Sequence, residues 1–368
     1  MTQFPFLPSI EISGFRAFSS LRIQQLGKIN LIIGKNNVGK SSLLEALRLY
    51  ASNGSLSVAS QILDSRDEGR LTKRPRRTDL GLVQALPKLF HRDKGSGGIG
   101  KTISIGPIGE ESQQLRIELG MYVRGEEDGR RVYKLASSSE AESTEGLLPG
   151  LSVRRNGFVE LHMLTSDINR RYYPEDEEET AIYHYVAADG LTGSQIGALW
   201  DAVSLSETEN DVIASLKIIL PELDRVVMVG DSEEARNRIP IARLSGSEER
   251  IPLRTLGEGM NRLFGLTLAL VNSASGLLLV DEIESGLHYS VQSEVWRLIF
   301  EVSKRLNIQV FATTHSKDCI DAFEKAAADE SEVEGLVIRL QSKGEQISIF
   351  EFEERELSIA RKNEIEIR

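Results

Sequence analysis

The sequence predicts an α/β fold, and three observations support that prediction. A short apolar run, Ile29–Ile33, leads through a glycine-rich turn into a segment with helical periodicity, Ser41–Tyr50. A second apolar run, Leu277–Val280, ends in two acidic residues. From Leu256 onward, helix-like and strand-like segments alternate, which is typical of a mostly parallel sheet covered by helices.

The N-terminal segments predict strands before the glycine-rich turn and a helix after it. Ile10–Phe18 and Leu21–Ile23 read as two strands around a turn, and Ile29–Ile33 is short and apolar enough for a buried strand. Beyond the glycine-rich turn, one helical face carries Leu43, Leu44, Leu47 and Tyr50. We therefore expect a strand, a turn and a helix in succession.

The middle of the chain, residues 51–250, differs in character from both ends. It contains polar stretches rich in glycine and serine, and the acidic run Pro174–Glu179. Within it, Leu115–Val123 and Gly157–Leu164 read as strands, whereas Ile196–Leu220 is largely helical in pattern. Because no heptad repeat is sustained, we expect no long coiled-coil arm.

Regular alternation returns in the last third of the chain. The pattern predicts a helix through Leu263, Phe264 and Leu268, the strand Leu277–Val280, a helix over Val291–Arg305 and a strand over Ile308–Ala312. We expect residues 1–50 and 251–345 to form one split core. Residues 51–250 would then be a large α+β insertion that includes a helical lobe, and residues 346–368 a C-terminal tail.

The composition indicates the expected cellular location of the protein and the role of its cysteine. The chain has 368 residues with 40% hydrophobic content, enough for a large core. No apolar run reaches the length of about 18 residues that a membrane-spanning helix needs, and Met1–Ile10 lacks a basic leader followed by an apolar stretch. We therefore expect a cytoplasmic protein that contacts no membrane. The single cysteine, Cys319, has no partner thiol and is expected to be a small buried apolar residue.

Charge limits the contacts with nucleic acid. A net charge of -11 repels nucleic acid overall, so any DNA contact must be local. The basic cluster Arg70–Arg77 either pairs with phosphates or, as is commoner for such clusters, forms a solvated surface loop.

The glycine-rich turn matches the phosphate-binding pattern G-x-x-x-x-G-K-[ST] over Gly34–Ser41. It lies between an apolar strand and an amphipathic helix, where backbone N–H groups and the helix N-terminus can surround phosphates. Lys40 adds a positive charge, and the Ser41 hydroxyl can bind Mg²⁺. The residues expected to hold a nucleotide are Gly34, Asn36, Asn37, Val38, Gly39, Lys40, Ser41 and Ser42.

Two more polar groups follow apolar strands, at the carboxyl edge where open α/β sheets bind ligands. Asp281 is expected to bind Mg²⁺ directly or through water, and Glu282 is placed to polarise an attacking water. His315, in Thr313-Thr314-His315-Ser316, could sense the terminal phosphate. A lone histidine is more often structural, but the other two motifs favour the functional reading.

The order and spacing of these motifs resemble the ABC-type ATPase heads of the SMC, RecF and OLD families. The resemblance rests on Phe15–Phe18, Gly34–Ser42, Leu256–Met260, Asp281–His288 and Thr314–Ser316. It covers both ends of the chain well and the middle poorly. It implies a P-loop NTPase whose insertion separates the Walker A motif at Gly34–Ser41 from the signature motif.

By this resemblance, ATP and Mg²⁺ are the cofactors and two chains sandwich two nucleotides. The signature residues Gly257, Glu258 and Gly259 would bind the γ-phosphate held by the other chain, and the loop Glu284–His288 would lie in the interface. Lys40, Ser41 and Asp281 would hold phosphate and metal. Glu282 would be the catalytic base, and His315 the switch histidine.

The chain departs from that family pattern at two places. Gly257 stands where many signature motifs carry a serine, so a hydroxyl contact to the γ-phosphate is missing. Activation by the other chain would then be weaker, or it would be made by backbone N–H groups and Arg262. A Q-loop glutamine is not assigned, although Gln84 is one possibility.

The resemblance also leaves several functions open. The first is an ATPase that forms a homodimer or higher oligomer on ATP and controls a separate effector, for example a Toprim-type nuclease in anti-phage defence or DNA maintenance. Because only about 50 residues follow His315, we expect a separate polypeptide to supply any nuclease activity.

A RecF-like DNA-binding repair ATPase is the alternative, with Arg70–Arg77 and Arg170-Arg171 as its footprint. A transporter subunit is disfavoured by the long insertion and by the Asp281–His288 string. A GTPase is disfavoured because no Asn-Lys-x-Asp string occurs.

Overall fold

A computed structural model describes residues 6–68, 85–91, 100–127, 130–136, 146–164, 181–231, 234–329, 333–344 and 346–352. A six-stranded sheet forms the centre of the fold. Its strands lie side by side in the order β16 (Gln346–Phe352), β15 (Gly335–Lys343), β3 (Ile29–Ile33), β14 (Gln309–Thr313), β13 (Leu277–Val280) and β9 (Tyr183–Val186).

The central sheet is parallel except for β16, which pairs antiparallel with β15. β14 lies between β3 and β13, with Thr313 opposite Ile32 and Ala312 opposite Val280. β3, β13 and β14 are buried along their whole length, as expected for short apolar strands in a covered parallel sheet. Because the three strands run in one direction in close register, their carboxyl ends meet at one edge.

An antiparallel sheet of seven strands packs on one side of the central sheet. The path runs through β2 (Phe18–Ile23), β1 (Ile10–Phe15), β4 (Lys101–Gly106), β5 (Leu115–Glu127), β7 (Leu147–Arg155) and β8 (Phe158–Met163), and β6 (Arg130–Leu135) pairs with β5. Between the two sheets lie the apolar faces of helices α1 (Lys40–Ala51) and α2 (Leu56–Asp64). This layer buries Leu43, Leu44, Leu47, Leu277, Leu279 and Phe311.

The opposite side of the central sheet is covered by helices. They are α3 (Gly193–Val203), α4 (Glu207–Lys217), α5 (Glu258–Asn272), α6 (Tyr289–Arg305) and α7 (Lys317–Asp329). A three-stranded antiparallel sheet made of β10 (Leu223–Asp231), β11 (Glu234–Leu244) and β12 (Arg250–Pro252) packs against α3 and α4. A short 3₁₀ turn, Leu253–Leu256, joins β12 to α5.

Most of the predicted elements are confirmed, with boundary changes that have local causes. The first predicted strand ends at Phe15 because Arg16 turns the chain with a φ of 45°. The helical stretch over Ile196–Leu220 is two helices, since Leu205 adopts a φ of 66° between them. Cys319 is buried as expected, and burial raises the pKa of its thiol to about 12.

The middle of the chain contributes to both large sheets. Strands from residues 101–163 extend the sheet that begins with the β1–β2 hairpin. β9 is an edge strand of the central sheet, next to β13. The tail contributes as well, because β16 pairs with β15. The Arg70–Arg77 cluster, Gln84, Arg170, Arg171 and the acidic run Pro174–Glu179 lie outside the described residues. Within the described part of the chain, no helix is both long and apolar enough to cross a membrane.

Candidate functional site

The turn between β3 and α1 forms a concave loop around a lysine. Its backbone has positive φ at Gly34 (145°), Asn37 (64°) and Gly39 (102°). Gly39 needs that freedom and has little room, since an added Cβ would lie 3.1 Å from the Phe18 ring. The Lys40 ammonium donates hydrogen bonds to the carbonyl oxygens of Gly34 (2.8 Å) and Lys35 (3.2 Å). A loop of this kind, opening a helix, directs backbone N–H groups toward an anion.

Burial and three nearby carboxylates affect the pKa of Lys40. Burial lowers the pKa of Lys40, and the negative charges of Glu282, Asp281 and Glu284 oppose that effect. These acids come from the segment after β13, which lies far from Lys40 in sequence. The fold therefore brings the glycine-rich loop and the acidic strand end into electrostatic contact.

Thr313 joins the two neighbouring strand ends. Its hydroxyl donates to Asp281 Oδ1 over 2.6 Å and accepts a hydrogen bond from the Glu282 backbone N–H over 2.8 Å. Asp281 is buried, whereas the Glu282 side chain is 40% exposed. The φ of Glu282 is 48°, a strained value for a residue with a side chain. Thr313 thus fixes the backbone that directs the Glu282 carboxylate into the open.

Arg262 holds the same segment from the helix side. Its guanidinium is buried and donates to the carbonyl oxygens of Ala187, Asp281 and Glu282. The expectation that Arg262 reaches a nucleotide on another chain does not agree with this arrangement, because these donors are used within its own chain. Arg262 instead ties α5 to the ends of β9 and β13.

His315 lies beside two carboxylates after β14. Its Nδ1 is 3.6 Å from Glu282 Oε1 and 3.2 Å from Glu284 Oε1, and its backbone N–H donates to the same Glu284 oxygen over 3.1 Å. The imidazole is about half exposed, with a fractional exposure of 49%. The Glu284 side chain is largely buried and holds the His315 backbone through this hydrogen bond. The side chains of His315 and Glu282 are therefore both partly exposed, next to each other.

The start of α5 packs on the loop that follows Glu282. Gly257 precedes the helix with a φ of 113° and no side chain caps its first N–H groups. A Cβ on Gly259 would lie 2.9 Å from the carbonyl oxygen of Gly286, so the helix and this loop are in close contact. Beside them is a cavity of about 200 Å³, lined in part by Asp189, Arg254, Glu258, Asn261 and Ser285.

A buried charge cluster supports the helix that follows the glycine-rich loop. Glu45 on α1 pairs with Arg16 (2.7 Å) and Arg66 (2.8 Å), and Arg66 also donates to the Ser42 hydroxyl over 3.3 Å. Burial raises the pKa of Glu45, and the charges of Arg16 and Arg66 oppose that rise. Arg16 belongs to the Phe15–Phe18 segment, so this segment fixes α1 from the β1–β2 turn.

The oxygen atoms at this sheet edge are suited to a hard cation that would also bind phosphate oxygens. Asp281 keeps one carboxylate oxygen on Thr313, and Ser41 opens α1 next to the lysine. Among the described residues, no three His, Cys, Asp or Glu side chains gather as a metal site. Mg²⁺ fits this arrangement because it prefers few protein oxygens together with phosphate and water ligands. The arrangement can cradle a triphosphate, hold a cation beside it and present a carboxylate to water.

The sequence patterns do not indicate the roles of Thr313 and Glu284 or the inward direction of the Arg262 side chain. Thr313 and Glu284 lie within the predicted motifs, but their hydrogen-bond partners become evident only when β13 and β14 are paired. The signature residues Gly257, Glu258 and Gly259 open a helix as predicted.

Two families of ATPase domains match parts of this chain. Residues 6–78 match the family described as "AAA ATPase domain", and residues 141–320 match the family described as "AAA domain, putative AbiEii toxin, Type IV TA system". An "ATP/GTP phosphatase" of Helicobacter pylori is 21% identical over 343 residues, which cover 88% of this chain and 89% of that protein.

Solved structures show the same fold. An SMC head bound to the C-terminal winged-helix domain of ScpA aligns over 97% of this chain and 100% of its own, with a TM-score of 0.51 and 13% identity. An SMC head with an extended coiled coil, bound to the C-terminal domain of ScpA from Pyrococcus furiosus, aligns over 98% of this chain and 99% of its own, with a TM-score of 0.52 and 10% identity.

Proposed function

We propose that this chain, which matches two AAA-type ATPase families over residues 6–78 and 141–320 and has the fold of an SMC head, is an ATP-driven switch that dimerises on ATP and regulates a separate partner. One observation carries the proposal. The loop after β3, the acids after β13 and the histidine after β14 converge at one sheet edge.

In the proposed site, the Gly34–Ser42 loop and Lys40 bind the triphosphate. Ser41 and Asp281 hold Mg²⁺, which neutralises developing charge on the phosphates when bound. Glu282 accepts a proton from the attacking water, since its carboxylate is open and its backbone is fixed by Thr313 and Arg262. His315 responds to the terminal phosphate through its contacts with Glu282 and Glu284.

The second half of each site is proposed to come from another copy of the chain. The uncapped N-terminus of α5 at Gly257, Glu258 and Gly259 is a ready site for an anion. It packs directly on the Glu284–His288 loop, so movement at one is transmitted to the other. ATP shared between two copies would favour the closed dimer until hydrolysis removes the γ-phosphate.

The partner is proposed to be an effector in a defence or DNA-maintenance setting, for example a Toprim-type nuclease. The support is the matched family, whose description names the AbiEii toxin and a type IV toxin–antitoxin system. The RecF-like alternative has no further support from the described residues, because its candidate basic footprint lies outside them.

A mixing experiment tests whether the site is shared between copies. The Glu258→Trp variant places bulk at the exposed start of α5, and Lys40→Ala removes the loop cation. Each alone should lack ATPase activity. About half of the dimers in an equal mixture combine the variants and keep one intact composite site, so about a quarter of wild-type phosphate release is expected. An inactive mixture in which mixed dimers form would contradict the shared site.

Arg262→Lys tests the positioning of Glu282. Lysine keeps the charge but cannot donate to three carbonyls from one planar group. We expect ATP hydrolysis to fall by about tenfold or more while ATP affinity changes by less than about threefold. Arg297→Lys, a partly exposed arginine on α6 that pairs with Glu294 and Asp329, is the matched control and should retain activity. Equal losses of affinity and of turnover in Arg262→Lys would indicate a general structural role instead.

A further inference from the structure

The outer face of the three-stranded sheet carries a ladder of arginines. Arg225 on β10 is directly opposite Arg243 on β11, which is opposite Arg250 on β12. Residues opposite each other in an antiparallel sheet share a face, so the three side chains form one row. All three are exposed. We call this set the arginine row.

The arginine row is only partly neutralised. Asp224 pairs with Arg243, and within the described part of the chain no ion pair is formed by Arg225 or Arg250. Like charges placed directly opposite each other in a sheet are destabilising. The row is therefore a local concentration of positive charge on a chain whose net charge is -11.

An apolar strip continues the same face. Val229 is opposite Ile239 and Val227 is opposite Ile241, one step along the hairpin from the arginine row. Val227, Val229 and Ile239 are 44%, 47% and 52% exposed, and they are three of the ten exposed large hydrophobic side chains among the described residues. The opposite face of these strands is packed, with Val226 and Ala242 buried. The exposed apolar strip is thus not part of the core.

We propose that this face, made of the arginine row and the apolar strip, docks an acidic amphipathic segment of a partner protein. Charge complementarity selects carboxylates for the row, because guanidinium groups bind carboxylates through paired hydrogen bonds. The strip selects aliphatic or aromatic side chains beside those carboxylates. A nucleic acid duplex offers phosphates but no apolar surface for the strip, and the net charge of the chain opposes it.

The position of the face suggests how docking connects to the switch. β12 ends at Pro252 and α5 begins at Glu258, with one 3₁₀ turn between them. This connection rests on the proposed function, but the docking face itself does not. Docking is therefore tested without nucleotide, and the Lys40→Ala variant should dock as well as the wild type.

The test uses an array of random peptides of about 15 residues, probed with the fluorescently labelled full-length chain at about 0.15 M salt. The wild type should bind peptides rich in Asp and Glu beside Leu, Ile, Val or Phe. The Arg225→Gln/Arg243→Gln/Arg250→Gln variant and the Val227→Thr/Val229→Thr variant should each bind them at least about tenfold more weakly. The control is Arg116→Gln/Arg154→Gln, another exposed cross-strand arginine pair, which should bind normally.

Folding is checked by thermal unfolding, where removing the like-charged row should leave the melting temperature unchanged or higher. The proposal is overturned if the bound peptides are not acidic or if binding is the same in the row variant and the control variant. It is also overturned if a labelled DNA duplex of about 20 base pairs binds in a row-dependent manner and acidic peptides do not. Row-dependent self-association without nucleotide would assign the face to a second copy and would likewise overturn it.

Discussion

Lys40→Ala is expected to weaken ATP binding by at least about 100-fold. Lys40 is buried within the glycine-rich loop and donates to two of its carbonyl oxygens, so its ammonium is held inside the loop that we propose binds the phosphates. Removing one member of a desolvated charge pair costs roughly 2–5 kcal/mol, and about 1.4 kcal/mol corresponds to tenfold in affinity. Titration of a fluorescent ATP analogue measures the loss.

Lys35→Ala is the matched control for this loss, because it removes the same charge from an exposed position in the same loop. It should change ATP affinity by no more than about threefold. If both variants lost affinity equally, the effect would come from the general field of the loop and not from the Lys40 contact.

Glu282→Gln is expected to retain ATP binding and to lose hydrolysis by about 100-fold or more. Glutamine has nearly the same shape but cannot accept the proton of an attacking water, and positioned acid–base groups contribute about 10²–10⁴-fold. The backbone of Glu282 should stay in place, because Thr313 and Arg262 hold its N–H and carbonyl. Phosphate release over a single turnover, compared with bound nucleotide, separates the two effects.

Glu284→Gln distinguishes the two acids that flank His315. Glutamine keeps an oxygen that can accept the backbone N–H of His315, but it removes the negative charge 3.2 Å from the imidazole Nδ1. Hydrolysis should therefore fall by only about tenfold. A larger loss in Glu284→Gln than in Glu282→Gln would reassign the proton-accepting role to Glu284.

Short motifs next to apolar strands predict which strand ends come together at the candidate site. The Gly34–Ser41 pattern needs only a strand before it and a helix after it, and both were evident from periodicity. Asp281 and His315 follow strands whose carboxyl ends must share an edge if the sheet is parallel. The fold then places Lys40 within the field of Asp281 and Glu282.

Long-range pairing and side-chain direction could not be predicted in the same way. β9 has only four residues and its place beside β13 depends on contacts across the whole domain. The sequence does not show whether the Arg262 side chain points outward or inward. Its inward direction depends on hydrogen bonds to the carbonyl oxygens of Ala187, Asp281 and Glu282. The break at Leu205 depends on a single backbone angle, which hydrophobic periodicity does not report.

The most direct test is the mass of the Glu282→Gln variant in solution, measured by analytical ultracentrifugation with saturating ATP and Mg²⁺. ATP trapped between two copies predicts a species of twice the 40.8 kDa mass of one chain, which returns to one chain when nucleotide is removed. A variant that binds ATP fully and still sediments as a single 40.8 kDa chain would contradict the nucleotide-gated dimer.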